Sequence, residues 1–398
     1  LVCLPLLVAA IGATVSNDNK DASNLYEAAR RSIHVYLETH KELRKQSPHN
    51  SASETISGSS SHQNESSFSI TSLSSSSPLW LVQALTLSVM YGLFADDSNS
   101  LNVVIRQVNA LCSLVKTSGL NKVNFQLSDP AHLDEISYNN FIRYESTIRT
   151  VHTITHITSL LSALYNICPA LRTDDLFIDM PCASTLWNTK TLQDFNGILK
   201  DFDFQSANYK YVLSQLLLHG SNGNENTGFL DARNFMSNYH VGDYGLICLQ
   251  NGLQQISYFK TWSDGSRIFN EHEVTSKLKS VFANWNLLIS LFHFNGNSEI
   301  YNDSMMMNSY FSIKILGLVK LEQVKQQVWL RDFHTTNLLF CENLTYPKGA
   351  FDNGEFFQDA MLSVESTIQI FKILFFQGST HFLSLIHISE PTRLALIS

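Results

Sequence analysis

Two histidines four residues apart, His152 and His156, are the first side chains in this sequence whose spacing is typical of metal chemistry. On an α-helix such residues share one face, and zinc enzymes use this spacing to place two imidazole ligands on one ion. The zinc-binding helix of metalloproteases has Glu directly after the first histidine, whereas this chain has Thr153. No third ligand follows at a recognisable distance. We therefore interpret the pair as packed or partly exposed residues of a helix.

Three aspartates, Asp174, Asp175 and Asp179, offer a second kind of site, because paired carboxylates can hold Mg²⁺ against a pyrophosphate. Their DDxxxD pattern resembles the DDxxD motif of isoprenoid synthases but is one residue longer. Those enzymes also need a second motif, and the nearest match, NDSMMMNSY at 302–310, lacks its hydroxyl and its carboxylate. We expect Asp174 and Asp175 to be loop or helix-capping residues after Pro169 ends a helix. An Mg-dependent isoprenoid-synthase-like enzyme remains an alternative.

The composition of the chain excludes a strongly basic protein. Its 398 residues are 44% hydrophobic and 16% charged, with 27 Lys and Arg against 35 Asp and Glu and a formal net charge of −8. No basic field is available to hold a phosphate backbone, so we do not expect these residues to bind nucleic acid by themselves. The six cysteines, at 3, 112, 168, 182, 248 and 341, form no CxxC pair, and we expect reduced, buried thiols.

Apolar residues recur at helical spacing through most of the chain, which predicts an all-α fold made of one large multi-helix regulatory domain. The segment 79–94 is apolar all round, which indicates a buried central helix. In 147–158, nine of twelve residues are β-branched and favour a strand, but the run continues unbroken into a helical stripe, so we predict a helix there. Further helices are predicted at 101–115, 278–292, 304–332 and 361–375.

Polar and unusual stretches divide the chain. Between residues 51 and 77, 14 of 27 residues are Ser, too polar a composition to form a packed core. The opening LVCLPLLVAAIGATV lacks the basic flank of a signal peptide, and we expect a buried helix whose upstream context is missing. SLIHISEPTR near the end resembles a translated sequencing adapter. We predict first helices at 1–45, a disordered insertion at 46–78, a core at 79–218, a linker at 219–228, a C-terminal helical half at 229–382 and a non-native tail at 383–398.

One ordered series of motifs carries a family resemblance. FIRYESTIRTVHTI leads through an apolar run into CPALRTDDLFIDMPC and then STLW. This order resembles the fungal-specific transcription factor domain, also called the middle homology region. Members of that family carry a basic–acidic–basic stretch, a Pro-containing loop, an acidic spacer, a Pro-Cys pair and a Trp. The matching residues in this chain are Arg143, Glu145, Arg149, Pro169, Asp174, Asp175, Pro181, Cys182 and Trp187, and we expect them to be structural.

The resemblance implies a nuclear regulator of transcription rather than an enzyme. Family members bind DNA through a zinc module, a binuclear cluster or Cys₂His₂ fingers, and neither pattern occurs in these residues. We therefore expect DNA as a partner only through a missing module that holds the zinc, and no catalytic residue, cofactor or metal in this fragment. Transcription coregulators or a second copy would be its other partners, with no membrane. A helical protein-interaction scaffold unrelated to transcription is a further alternative.

Overall fold

The computed structural model describes residues 2–16, 18–46, 78–94, 100–125, 133–165, 167–201, 207–219, 232–263, 334–335 and 338. Across these ranges the chain is helical and contains no strand, apart from an isolated bridge between Asp179 and Asn208. The predicted all-α fold is therefore confirmed. The helices are α1 (Cys3–Val15), α2 (Asn19–Gln46), α3 (Leu79–Phe94), α4 (Ser100–Thr117), α5 (Glu135–Tyr165), α6 (Ser184–Trp187), α7 (Leu192–Asp201), α8 (Tyr209–His219), α9 (Ala232–Asn238) and α10 (Asp243–Ser263).

The described helices belong to two compact units, and the first contains α1 to α4. Helix α1 packs on α2 and α3, and α3 packs on α4. The uniformly apolar sequence of α3 suits this position, because residues all round the helix, among them Leu81, Val82 and Leu87, are buried. In α4 the predicted stripe is buried at Val104 and Val115. The sequence-based predictions for both helices are confirmed.

The second unit begins at Gly119 and is built around α5. This long helix contains the β-branched run, which forms a helix as predicted. Thr147 and Thr155 show how such a run can be buried in a helix, because each hydroxyl donates to the carbonyl four residues earlier, at 2.8 and 3.0 Å. Their polar atoms then need no outside partner, and the methyl groups can pack. The other described elements of this unit are the short 3-10 turns Leu120–Lys122 and Thr173–Asp175 and helices α6 to α10.

Several predicted features lie outside the described residues. These are the helices at 278–292, 304–332 and 361–375, the Ser-rich stretch at 51–77, most of the linker and the tail at 383–398. The segment boundaries drawn from composition remain predictions. Within the ranges described above, no helix is both long enough and apolar enough to cross a bilayer.

The contact between α3 and α4 yields a test with a matched control. A methyl group at Gly92 would come within 2.5 Å of a Val104 methyl, whereas one at Gly12 in α1 meets nothing within 4 Å. Gly92→Ala should lower the free energy of unfolding by about 1–3 kcal/mol through overpacking. Gly12→Ala should raise it by about 0.5–1 kcal/mol, because alanine loses less backbone entropy in a helix. Urea denaturation measures both, and equal effects at the two sites would contradict the described packing.

Candidate functional site

An ion pair at the centre of α5 organises the second unit. Glu145 and Arg149 lie one turn apart on the helix, and Arg149 Nε donates to Glu145 Oε1 at 2.7 Å. Both side chains are buried, with relative exposures of 1% and 4%. Burial opposes the charged guanidinium, but the adjacent Glu145 carboxylate raises the pKa of Arg149 above its ordinary value. The guanidinium therefore stays charged inside the protein, next to the Glu145 side chain.

The same pair holds the backbone of Cys182. Arg149 Nη2 donates to the Cys182 carbonyl at 2.9 Å, and the Cys182 N–H donates to Glu145 Oε1 at 3.0 Å. The loop before α6 thus has both polar backbone groups of this residue satisfied by charged side chains, which is the strong class of hydrogen bond. Burial raises the pKa of the Cys182 thiol well above its usual range. The cysteine is consequently a neutral packed group at ordinary pH.

Two aromatic rings complete the surroundings of the guanidinium. The Arg149 Cζ lies 4.7 Å from the centroid of the Trp187 ring and 5.0 Å from that of Tyr244. Both distances are typical of cation–π contacts, which strengthen when the cation is removed from water. Tyr244 also donates its hydroxyl to the Arg149 carbonyl at 3.0 Å. We call Glu145, Arg149, Cys182, Trp187 and Tyr244 the arginine clamp.

A second buried polar group lies next to the clamp on α5. Tyr144 donates its hydroxyl to Asp179 Oδ2 at 2.6 Å, and both residues are buried. Burial and the neighbouring Asp179 carboxylate raise the pKa of the Tyr144 phenol far above its usual range. Asp179 is held further by its flanks, because Met180 donates to the Ala207 carbonyl and Tyr209 to the Ile178 carbonyl, at 2.7 and 3.0 Å. The Asp179 carboxylate therefore holds the bridge between these two loops against Tyr144 on α5.

The two histidines face different elements. His152 Nε2 lies 3.4 Å from the Asp179 carbonyl oxygen, and its ring meets Tyr209 edge-on at 4.8 Å. His156 Nδ1 lies 2.9 Å from Asn251 Oδ1 on α10. Burial lowers the pKa of His152 to about 4 and lowers that of His156 as well. In the described ranges, no group of three or more His, Cys, Asp or Glu side chains is arranged to hold a metal ion.

The aspartates of the DDxxxD pattern also separate. Asp175 Oδ2 accepts the Arg172 N–H at 3.0 Å and so caps the 3-10 turn. The Asp174 side chain is 86% exposed and lies 4.0 Å from Arg172 Nη2. Asp179 is buried against Tyr144, as described above. The structure thus brings no pair of these carboxylates to one buried point.

The remaining residues of the family pattern have separate positions. Pro169 is buried in the loop after α5, and Pro181 is buried next to Cys182. Arg143 is exposed on α5 and takes no part in the clamp. The structure therefore brings together Glu145, Arg149, Cys182 and Trp187 from the predicted set.

Sequence reasoning missed the amide residues of α10. Gln255 Oε1 accepts the Thr173 N–H at 2.9 Å, and its Nε2 donates to the Leu171 carbonyl at 3.1 Å. Gln254 Nε2 donates to the Ser159 carbonyl on α5 at 3.0 Å. Gln255 thus binds the loop after α5 to α10, and Gln254 binds α5 itself to α10. The available signal was the recurrence of Gln and Asn on one stretch of an otherwise apolar helix, LQNGLQQ.

Comparison with known proteins finds distant similarity to a yeast protein. The protein named "Probable transcription factor TDA9" of Saccharomyces cerevisiae is 27% identical over 186 aligned residues, which cover 37% of this chain. The alignment covers 15% of the length of that relative. No protein-family model matches the chain, and no solved structure matches it. The chain is therefore similar to a protein named as a probable transcription factor, while the specific family remains a prediction from the motifs.

Substitution of Arg149 tests whether the arginine clamp stabilises the fold. Arg149→Met should lower the free energy of unfolding by about 3–5 kcal/mol, because the buried Glu145 charge and the Cys182 carbonyl lose their partner. Arg143→Met, six residues earlier on the exposed side of the same helix, should change it by less than about 0.5 kcal/mol. Thermal and urea unfolding of the two variants measure the difference. A clamp that does not stabilise the fold would give equal values.

The second prediction concerns pH. Because burial lowers the pKa of His152 to about 4, the unfolded chain binds a proton at this residue more readily than the folded chain does. The contribution of neutral His152 to the free energy of unfolding is thus complete above the unfolded-state pKa of about 6.5, and it is lost as the pH falls towards 4. His152→Gln should reduce the slope of unfolding free energy between these values by up to about 1.4 kcal/mol per pH unit. His34→Gln, an exposed histidine of α2, is the control, and an identical slope in both variants would refute the assignment.

Proposed function

We propose that this chain is the regulatory, middle homology domain of a fungal zinc-finger transcription factor that controls RNA polymerase II transcription. The observation that carries the proposal is the similarity of this chain to a yeast protein named as a probable transcription factor. The order of motifs from Arg143 to Trp187 supports the finer assignment, because it resembles the signature of that family. The proposal includes a nuclear location and a non-enzymatic role.

The arginine clamp gives the motif order a physical meaning. Glu145 and Arg149 are separated from Cys182 by more than thirty residues of sequence, yet they bond to its backbone directly. To form the clamp, a chain needs an acidic and a basic residue one helical turn apart. Further along the sequence it also needs a loop with a small buried residue, followed by an aromatic residue. These are the residue types that the family pattern contains. In this proposal the residues of the pattern serve to pack the helical body.

The polar groups that first indicated chemistry have internal roles in this proposal. His152, His156 and Asp179 contact Tyr209, Asn251 and Tyr144 inside the second unit. Buried polar groups that bond each other fix the relative positions of elements and keep them rigid. Such a body can transmit a signal or present a surface.

In this proposal DNA recognition belongs to a zinc module outside these residues. The net charge of −8 disfavours contact with phosphates by this chain itself. The domain would act on the output of the attached module, through coregulators or a second copy. No cofactor is assigned to this part of the protein.

The proposal is tested by fusing the full chain to a heterologous DNA-binding module in yeast and measuring a reporter under that module's site. We expect reporter output to differ from that of the module alone, and Arg149→Met to remove the difference because it disrupts the clamp. Arg143→Met should retain it. An unchanged reporter, with fusion protein present at normal levels in the nucleus, would contradict a regulatory role.

A further inference from the structure

Phe177 is a large apolar side chain in the second unit that stays 49% exposed. It follows the 3-10 turn Thr173–Asp175 and precedes the buried residue Ile178. Its backbone is fixed, because the Phe177 N–H donates to the Asn121 carbonyl at 2.7 Å. An exposed aromatic ring on a fixed backbone is available to a partner at a low entropic penalty.

Two lysines from different segments are arranged over this ring. The Lys210 Nζ lies 3.6 Å from the ring centroid, and the Lys122 Nζ lies 5.6 Å from it. Both are within the range of a cation–π contact. Lys210 also donates to the Asp174 carbonyl, which fixes its ammonium group near the loop. We call Lys122, Phe177 and Lys210 the Phe177 platform.

The platform is held together by hydrogen bonds among its three segments. Asn121 Nδ2 donates to the Asp175 carbonyl at 2.6 Å, which joins the turn of Lys122 to the loop of Phe177. The Tyr209 N–H donates to the Ile178 carbonyl at 3.0 Å, which joins the start of α8 to the same loop. The backbone segments that carry the two lysines and the ring are thus held in fixed relative positions before any partner arrives.

The charges around the platform favour an anionic partner. Arg172, on the same loop, adds a third cation, with a side chain 52% exposed and its Cζ 4.5 Å from the Phe259 ring. The described anions of this loop are Asp174, beside Arg172, Asp175, whose carboxylate accepts the Arg172 N–H, and Asp179, which is buried against Tyr144. Among the described residues of this loop and its platform, the three cations outnumber the two anions that are not buried, in a chain whose net charge is −8. An acidic segment is repelled by the protein as a whole but attracted here.

From this arrangement we infer that the Phe177 platform binds an acidic peptide segment of a partner protein that carries an aromatic or aliphatic side chain. The apolar side chain packs on the exposed part of the Phe177 ring, and carboxylates on either side of it pair with Lys122 and Lys210. A phosphate backbone would satisfy the lysines but would leave the ring without an apolar contact. The inference goes beyond the proposed regulatory function, since the binding needs neither DNA nor a reporter.

The test is fluorescence anisotropy with the full chain and a labelled short peptide of Asp and Glu with interspersed Phe and Leu. We expect saturable binding that weakens with salt. Phe177→Ser and Lys210→Glu should each weaken it by about tenfold or more, the ratio that corresponds to loss of one good contact. Ile136→Ser, an exposed apolar residue of α5, and Lys190→Glu, an exposed lysine of the same unit, are the matched controls and should bind like the parent.

Two further probes decide the chemistry of the partner. A peptide with Ser in place of Phe and Leu, and one with Lys in place of the acids, should both bind weakly. The inference is overturned if no peptide binds, if the Phe177→Ser and Lys210→Glu variants bind like the controls, or if duplex DNA competes more strongly than the acidic peptide. Sedimentation that shows a dimer lost in Phe177→Ser would also overturn it, because a second copy would then cover the ring. Circular dichroism establishes that each variant retains its helices.

Discussion

A buried guanidinium is the constraint on which the second unit depends. Because Arg149 is buried on α5, its guanidinium needs a counter-charge, a hydrogen-bond acceptor and side chains that pack against its planar faces in place of water. Glu145, the Cys182 carbonyl and the rings of Trp187 and Tyr244 supply these from α5, the loop before α6, α6 itself and α10. One side chain thereby fixes the relative positions of four parts of the chain. A purely apolar core would leave their alignment much freer.

The seam between α5 and α10 extends this principle along the helix. Thr153, His156 and Ser159 on α5 bond in turn to Tyr244, Asn251 and Gln254 on α10. Since these contacts follow each other along both helices, a slip of one turn would separate all three pairs. The polar residues therefore define the register of the two helices.

A feature of this fold could be predicted from the sequence when the interactions that determine it are local along the chain. Helices α3, α4 and α5 were predictable because apolar spacing and local hydrogen bonding decide them, even through the β-branched run 147–158. The clamp was visible only as residue types in order, because the partner of Glu145 and Arg149 is a backbone group, which carries no sequence signal. The sequence also could not indicate that His152 and His156 contact different elements, because this depends on where the fold places Asp179 and Asn251. The amides of α10 were the clearest missed signal.

The threonines of α5 have an evolutionary consequence. Because the Thr147 and Thr155 hydroxyls are satisfied by their own helix, an exchange for valine or isoleucine would leave no neighbouring group without a hydrogen bond. Substitution at such positions can proceed while every contact between elements survives. Glu145 and Arg149 lack this freedom. Two descendants of one ancestral domain could thus differ at such threonines and still preserve the same architecture.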